Sequence, residues 1–312
     1  MVSRAEIFPL DPTLAITFPT NPRTQMCLMF GTLVFLLAVA PAHSRITGFS
    51  LDIEPSAGNE SVALVEYLSE FRWRISGTGL KLSADAGTAW SSSDFMTNVN
   101  GTSKVLAEWL VELCNETVVM SYDRNGTNLL VRVDPYLAYA DTYGERNVTV
   151  GVAIASPGST PTWWQTQSPA ELEALIEGVD PSLRQHASFK GRYAVFFAAT
   201  LFNASAGGGP PPGSGIGEEK ALWYVDDDWV YDATAQSAFF QFAAAQNVRE
   251  LYDAPHAGNR PHIGANTTDQ ALYVDFVHLA DAQGIDIQFM SGLDTLAYDL
   301  AFIESVNGGA TS

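Results

Sequence analysis

Short β-rich runs alternate with segments of helical periodicity along most of this chain, and this rhythm constrains the fold more than any other feature. A short apolar or alternating run predicts a strand, and an apolar stripe at helical spacing predicts a helix that packs on a sheet. Eight predicted strands are spaced at βαβ-like intervals: Phe49 to Glu54, Leu80 to Ala86, Thr117 to Tyr122, Asn147 to Ala155, Tyr193 to Thr200, Ala221 to Val225, Val248 to Tyr252 and Ile285 to Met290.

Eight strands of this spacing are the number that closes a barrel, so the sequence predicts the α/β class and a (β/α)8 TIM-type barrel. The alternative is an open doubly wound sheet. It ranks second because no Gly-x-Gly-x-x-Gly motif follows an early strand.

Residues 205–220 are rich in Gly, Pro and Ser and interrupt the rhythm between the fifth and sixth predicted strands. This composition predicts a flexible linker in place of one crossover helix. The segment lacks the Gly-Lys-Ser/Thr ending of a phosphate-binding loop, so no nucleotide site is expected there. The linker separates residues 44–204, with five strands, from residues 221–312, with three strands of the same domain.

An uncharged apolar segment, Cys27 to Ala40, ends at Ala40-Pro41-Ala42 and is short for a bilayer span. This is the pattern of a cleaved secretory signal. Because Arg23 and Met26 precede the segment, we expect translation to start at Met26 and residues 1–43 to form the signal region. The expected location is secreted or extracellular, without stable membrane insertion after cleavage. The alternative is an uncleaved signal anchor.

Seven Asn-x-Ser/Thr acceptor patterns in a chain with a signal predict a glycosylated secretory protein. The acceptor positions are Asn59, Asn100, Asn115, Asn125, Asn147, Asn203 and Asn266. Removal of the signal leaves Cys114 as the single cysteine, so no intrachain disulfide is expected.

The charge balance limits the partners. The chain has 16 Lys and Arg residues against 35 Asp and Glu residues, a net charge of -19. A summed field of this sign repels nucleic acid and anionic membrane surfaces. No nucleic-acid partner is therefore expected, and a neutral substrate fits better.

Two carboxylates close the first predicted strand. Side chains alternate along a strand, so Ser50, Asp52 and Glu54 are expected to point to one side. Glu54 then lies at the carboxyl end of the strand, where barrel enzymes keep their catalytic groups. A second carboxylate two residues away raises one of the two pKa values, as a general acid for a glycosidic oxygen requires.

The segment Leu51-Asp52-Ile53-Glu54 resembles the end of the Asp-x-x-Asp-x-Asp-x-Glu signature on the fourth barrel strand of glycoside hydrolase family 18, the chitinase-like enzymes. Two strands later, Met120-Ser121-Tyr122-Asp123 resembles that family's Met-x-Tyr-Asp at the end of the sixth strand. A looser resemblance, to glycoside-hydrolase-like barrels with a Leu-Asp-Ile-Glu-Pro fourth strand, covers most of residues 46–312.

The resemblance implies roles for four residues. Glu54 would be the acid/base, and Asp52 would orient and stabilise the substrate's acetamido group. Tyr122 would hydrogen-bond the acetamido carbonyl, and Asp123 would help to bind the sugar. The nucleophile would be the substrate's own N-acetyl oxygen, so no second enzymic carboxylate is required.

Two features depart from the signature. Thr47 and Ser50 stand where the family has its two earlier Asp residues, so the hydrogen-bond relay that tunes Asp52 is incomplete. The order also differs, because residues 46–200 would hold strands four to eight and residues 221–306 strands one to three. This order predicts a circularly permuted barrel joined through the linker, or a piece of a tandem of two barrels.

Aromatic and acidic side chains near the strand ends are the predicted substrate-binding residues, because aromatic rings can stack on sugar faces. They are Trp90, Asp85, Trp163, Trp164, Trp223, Asp226, Tyr252 and Asp253. No cofactor is expected. No metal site is expected either, because neither the three acids from Asp226 nor the pair His256 and His262 has the spacing of calcium or zinc ligands.

The predicted function is a secreted glycoside hydrolase that cleaves O-glycosidic bonds of an extracellular or cell-wall polysaccharide, with an oligo- or polysaccharide as its binding partner. The alternative, which follows from Thr47 and Ser50, is a catalytically inactive carbohydrate-binding barrel or a structural wall protein. Fold alone does not choose between the two.

Overall fold

The structure is a computed structural model that describes residues 46–77, 79–155, 162, 164–166, 168–196, 219–224, 233–253 and 267–291. The predicted signal region and the Gly/Pro-rich linker, apart from its last two residues, lie outside these residues. Among the described segments, no helix has both the length and the apolar character needed to cross a membrane.

Eight parallel strands form a closed barrel in which each strand pairs with the next one along the chain and the last pairs with the first. They are β1 (Ile46–Leu51), β2 (Lys81–Gly87), β5 (Glu116–Met120), β6 (Asn147–Ala153), β7 (Phe189–Phe196), β8 (Lys220–Tyr224), β9 (Val248–Asp253) and β10 (Asp286–Ser291). The remaining two strands, β3 (Met96–Val99) and β4 (Thr102–Val105), form a separate antiparallel hairpin.

Helices follow the barrel strands in the alternation that the sequence predicts. The described helices are α1 (Asn59–Ile75), α2 (Leu106–Leu113), α3 (Gly126–Tyr143), α4 (Pro169–Leu183), α5 (Ala233–Ala245) and α6 (Thr267–Ala282). A closed barrel of eight parallel strands with crossover helices is the TIM-type (β/α)8 fold, and the prediction of fold class is confirmed.

The strand order leaves the predicted permutation open. Moving the chain ends of a closed (β/α)8 barrel from one loop to another changes no strand neighbour, so permuted and unpermuted chains share the order seen here. The permutation, the tandem alternative and the domain bounds at residues 44–204 and 221–312 therefore stay predictions.

The outer face of the barrel is apolar and packs against the helices. Phe49 of β1, for example, contacts Phe71 of α1 edge to face, with 5.3 Å between the ring centroids. Because alternate residues of a strand face opposite ways, the neighbours Ser50 and Gly48 belong to the interior side of β1.

The interior of the barrel is ionic in its amino-terminal half. Arg192 of β7 contacts the carboxylate of Glu250 on β9 and donates to Glu219 at 3.1 Å. Gln288 of β10 donates to both Glu250, at 2.5 Å, and Glu116 of β5, at 3.4 Å. Buried charges are tolerated when they are paired in this way.

The carboxyl-terminal half of the interior is apolar and aromatic. Its buried residues form one cluster, which contains Val118, Ala194, Ala221, Trp223 and Tyr252. Partly buried side chains of the next layer toward the strand ends pack on this cluster, and they are Met120, Tyr122 and Phe196.

Candidate active site at the carboxyl end of the barrel

The acidic pair Asp52 and Glu54 follows β1 instead of lying on it. The strand ends at Leu51, so the predicted strand from Phe49 to Glu54 was wrong at its end and these two side chains do not share a strand face. Both are exposed in the connection to α1, and the Pro at position 55 follows them directly. This places the pair at the carboxyl end of β1, where barrel enzymes position catalytic groups.

Asp85 of β2 is the buried carboxylate beside this pair. Leu51 is in register with Ala84, so the next residues along the two neighbouring strands are Asp52 and Asp85. The Asp85 side chain is 3% exposed and accepts a hydrogen bond from the Trp223 indole, while its Oδ1 atom has no hydrogen-bond partner among the described residues. Burial raises the pKa of Asp85 well above its ordinary value, and the charge of Asp52 adds to the effect.

Electrostatic coupling joins four residues into one group, which we call the mouth cluster: Asp52, Glu54, Asp85 and Tyr122. Burial by the surrounding protein raises the pKa of Asp52, although its side chain still reaches solvent, and Glu54 raises it further. Burial also raises the pKa of Tyr122, with added contributions from the charges of the three acids. The Tyr122 hydroxyl therefore remains a hydrogen-bond donor at neutral pH.

The Tyr122 ring of the mouth cluster and the three rings beside it form what we call the aromatic wall: Tyr122, Trp164, Phe196 and Trp223. Tyr122 stacks on Phe196 with 5.3 Å between centroids and lies 5.9 Å from Trp164. Trp223 meets Tyr122 edge to face at 6.1 Å. Trp223 is buried, whereas the other three rings are half-buried and keep surface toward solvent.

Phe196 was missed at the level of sequence, although a signal was present. It is the last residue of β7, on the same side as Arg192 and Ala194 of the interior. Side chains of a strand alternate, so Phe196 follows Arg192 and Ala194 on the interior face of β7. This alternation assigns Phe196 to the mouth of the barrel.

Two predicted binding residues on β9 lie elsewhere. Tyr252 is fully buried in the interior, 5.7 Å from Trp223 between centroids, and its hydroxyl donates to Glu250 at 3.3 Å. Asp253, the next residue, is also fully buried, and its carboxylate accepts a hydrogen bond from Tyr273 of α6. Alternation turns these neighbours to opposite faces, so the prediction that both line the cleft was wrong.

Two other predicted site residues have structural contacts in place of access to the mouth. Trp90 is 5% exposed and packs on Phe95 at 6.4 Å between centroids, so it presents no free face to a sugar. Asp123 is buried at the start of α3, where its Oδ1 accepts from the backbone N–H of Asn125 at 2.8 Å and its Oδ2 lies 3.3 Å from Arg132. Trp163 and Asp226 lie outside the described residues.

The acceptor asparagines have varied surroundings. Asn59, Asn100, Asn115 and Asn125 are exposed, Asn147 is half-buried, and Asn203 and Asn266 lie outside the described residues. Asn125 also caps α3, because its side-chain oxygen accepts from the backbone of Thr127 and Asn128. Glycosylation at these positions stays a prediction.

Neither a metal nor a reactive cysteine is indicated in the part of the chain that the structure covers. No group of three or more His, Cys, Asp or Glu side chains there could hold a metal ion. Cys114 is buried, and burial raises the pKa of its thiol to about 12, which disfavours the nucleophilic thiolate.

Comparisons with known proteins give only distant structural matches. No family model matches the sequence, and no curated protein matches it. A glycoside hydrolase family 5 enzyme from Prevotella bryantii is 10% identical, with a TM-score of 0.42, and the match covers 89% of this chain and 85% of that one. The carboxyl transferase domain of Rhizobium etli pyruvate carboxylase is 13% identical, with a TM-score of 0.46 and coverage of 88% and 43%.

A third similar structure is a protein named GH26A from a Muricauda species, at 10% identity, a TM-score of 0.39 and coverage of 92% and 90%. All three scores are below 0.5, and the three proteins differ in chemistry. The likeness therefore carries no argument about what this chain does.

Proposed function

We propose that this chain is a secreted glycoside hydrolase that cleaves O-glycosidic bonds of an extracellular or cell-wall polysaccharide. One observation carries the proposal, namely that the acidic mouth cluster lies against the aromatic wall at the carboxyl end of a (β/α)8 barrel. Barrel enzymes build their active sites at this end. Carboxyl groups supply the proton transfers of glycoside cleavage, and aromatic rings supply stacking surfaces for sugars.

Glu54 is the proposed acid/base. It is the exposed carboxyl group of the mouth cluster that lies furthest along the connection after β1, where it can meet a glycosidic oxygen of a bound chain. Proton donation to that oxygen lets the aglycone leave as an alcohol, and the conjugate carboxylate then takes a proton from the incoming water.

Asp52 and Tyr122 would act on the sugar that is cleaved. Asp52 lies two residues before Glu54, and Tyr122 faces the same group of charges from the end of β5. The resemblance to family 18 suggests that Asp52 orients an acetamido group while Tyr122 donates to its carbonyl oxygen. The half-buried faces of Trp164 and Phe196 are the stacking surfaces nearest to Tyr122.

A carbohydrate-binding barrel without catalysis is the second candidate, and two residues favour it. Thr47 donates its hydroxyl to the Ile287 carbonyl oxygen at 3.4 Å, and the Ser50 hydroxyl is buried with no hydrogen-bond partner within the described segments. Neither side chain supplies the carboxylate that the family signature has at its position. A site that keeps the aromatic wall but lacks a working acid would bind oligosaccharides and release no product.

The decisive experiment uses the secreted chain and a panel of neutral and N-acetylated oligosaccharides, with products read by mass spectrometry. We expect cleavage of at least one class by the wild type and a loss of about 10²–10⁴-fold in Glu54→Gln, because general acid catalysis contributes this much. Oligosaccharide binding by Glu54→Gln should remain, since the amide keeps the size of the carboxyl group.

Glu66→Gln is the matched control, because it removes the same charge from an exposed position on α1. This variant should cleave at the wild-type rate. Equal turnover by Glu54→Gln would refute the role of Glu54. Binding of oligosaccharides by the wild type without any cleavage would establish the second candidate.

A further inference from the structure

Asp85 lies on β2, and Asp52 directly follows the end of the neighbouring strand β1 at the mouth of the barrel. The β1–β2 register pairs Ser50 with Ser83 and Leu51 with Ala84, so the step after each pair brings Asp52 beside Asp85. Asp85 belongs to the interior face of β2, because it is two residues beyond the inward-facing Ser83. Asp52 follows β1, and it is the charged group that acts most strongly on Asp85. Adjacent strands lie about 5 Å apart, which leaves little space between two carboxyl groups.

The surroundings of Asp85 disfavour a second negative charge. The charged groups that act on it most strongly are Asp52 and Glu54 at the mouth and Glu116 from the layer below, and all of these are acidic. Tyr122 faces it from β5 as a neutral phenol, and Tyr252 lies below as another. The Arg192 guanidinium lies among Glu116, Glu219 and Glu250, whose carboxylates already surround it.

The two oxygens of Asp85 have different roles. One accepts from the Trp223 indole, and Oδ1 is buried with no hydrogen-bond partner in the part of the chain that the structure describes. A buried carboxylate oxygen without a partner is costly, whereas a protonated oxygen can act as a donor to a neighbouring carboxylate. The carboxylate that acts most strongly on Asp85 is that of Asp52, which follows the last paired residue of β1.

We propose that Asp85 is a neutral carboxylic acid that donates a hydrogen bond from Oδ1 to the Asp52 carboxylate and so acts as a positioning residue for the mouth cluster. The pair then holds one proton and one negative charge. Asp52 is then held in orientation by a residue of β2, although it lies in the connection after β1. The use of this arrangement in catalysis rests on the proposed function, but the shared proton does not.

The indole N–H of Trp223 reports on the ionisation of Asp85 without any need for enzyme activity. Its NMR resonance in ¹⁵N-labelled secreted protein can be assigned by its absence in Trp223→Phe or by triple-resonance experiments. We expect the wild-type resonance to titrate with a midpoint above the ordinary range of aspartate, which is about 4. In Asp52→Asn the midpoint should fall, because the neighbouring negative charge is gone.

Asp85→Asn is the complementary variant, because an amide presents a neutral oxygen to Trp223 and keeps a donor for Asp52. At neutral pH it should leave the indole resonance close to its wild-type position. Glu66→Gln should change neither the midpoint nor the resonance. A resonance that does not titrate at all, and that Asp85→Asn leaves in place, indicates a carboxyl group that is neutral throughout and also supports the proposal.

Three results would overturn the proposal: a midpoint in the ordinary range of aspartate, a midpoint that Asp52→Asn leaves unchanged, or a non-titrating resonance that Asp85→Asn shifts strongly at neutral pH. The wild-type titration decides the first of these even if a variant fails to fold. A chain that cleaves no oligosaccharide would refute the hydrolase proposal and leave this titration unaffected, so the two failures are distinguishable.

Discussion

Gly151 of β6 lies beside the Trp223 ring, where a larger residue would interfere with the aromatic wall. A Cβ atom at this position would lie 2.6 Å from the Val119 carbonyl oxygen and 3.2 Å from Cη2 of Trp223. Both neighbours are held by the barrel, so relief requires a shift of strand or ring. We expect Gly151→Ala to lower the free energy of unfolding by about 1–3 kcal/mol, measured by urea denaturation.

Gly178 provides the matched comparison for Gly151. It lies within α4, and a Cβ atom there would meet no described atom within 4 Å. Alanine in place of glycine inside a helix reduces the entropy of the unfolded chain, so Gly178→Ala should raise the free energy of unfolding by about 0.5–1 kcal/mol. Similar effects of the two substitutions would mean that the space beside Gly151 is not the constraint.

At the scale of elements, the sequence contains a complete start signal for α4, namely an N-cap serine followed by a proline. Ser168 is the N-cap, its side-chain oxygen accepts from the backbone N–H of Glu171 at 3.3 Å, and Pro169 occupies the first turn. Ser168→Ala should cost about 1 kcal/mol of stability, seen as a lower midpoint of thermal unfolding. Ser92 precedes the 3₁₀ helix Ser93–Phe95 without a side-chain cap bond, so Ser92→Ala should have a much smaller effect.

The β3–β4 hairpin shows what sequence reasoning overlooked at the same scale. Asn100 and Gly101 both have positive φ, 53° and 83°, as the two central residues of a type I′ turn do. The Asn-Gly signal was visible, but each strand has only four residues and neither joins the barrel. Both strands are therefore shorter than the apolar runs from which barrel strands are predicted.

At the scale of the whole molecule, the order and number of barrel strands were predictable, because each strand has its own short apolar or alternating run in the sequence. The composition of the site was less predictable, because it depends on the phase of each strand relative to the barrel axis. Tyr252 and Asp253 cannot both face inward, yet the sequence alone does not say which does. The pairing of Asp85 with the Trp223 indole also arises only after closure, because distant strands carry the two residues.

Closure of the barrel also buries acids from different strands close together, and their burial makes the stability of the molecule depend on pH. Burial raises the pKa of Glu250 to about 7, with a further increase from Glu116, while Arg192 opposes the shift. Burial raises the pKa of Asp85 as well. The folded state therefore holds protons on these acids at pH values where the unfolded chain has already released them, and the contribution of these acids to stability is largest at acidic pH.

We therefore expect the free energy of unfolding to fall as pH rises from about 5 to about 8, by about 1–3 kcal/mol for Glu250, since one pKa unit corresponds to about 1.4 kcal/mol. Glu250→Gln removes that proton exchange, so urea denaturation across this range should show a flatter dependence on pH. Glu66→Gln, on the exposed face of α1, should keep the wild-type slope. A wild-type stability that increases toward pH 8 would contradict a proton held on Glu250, because a lowered carboxyl pKa gives the opposite sign.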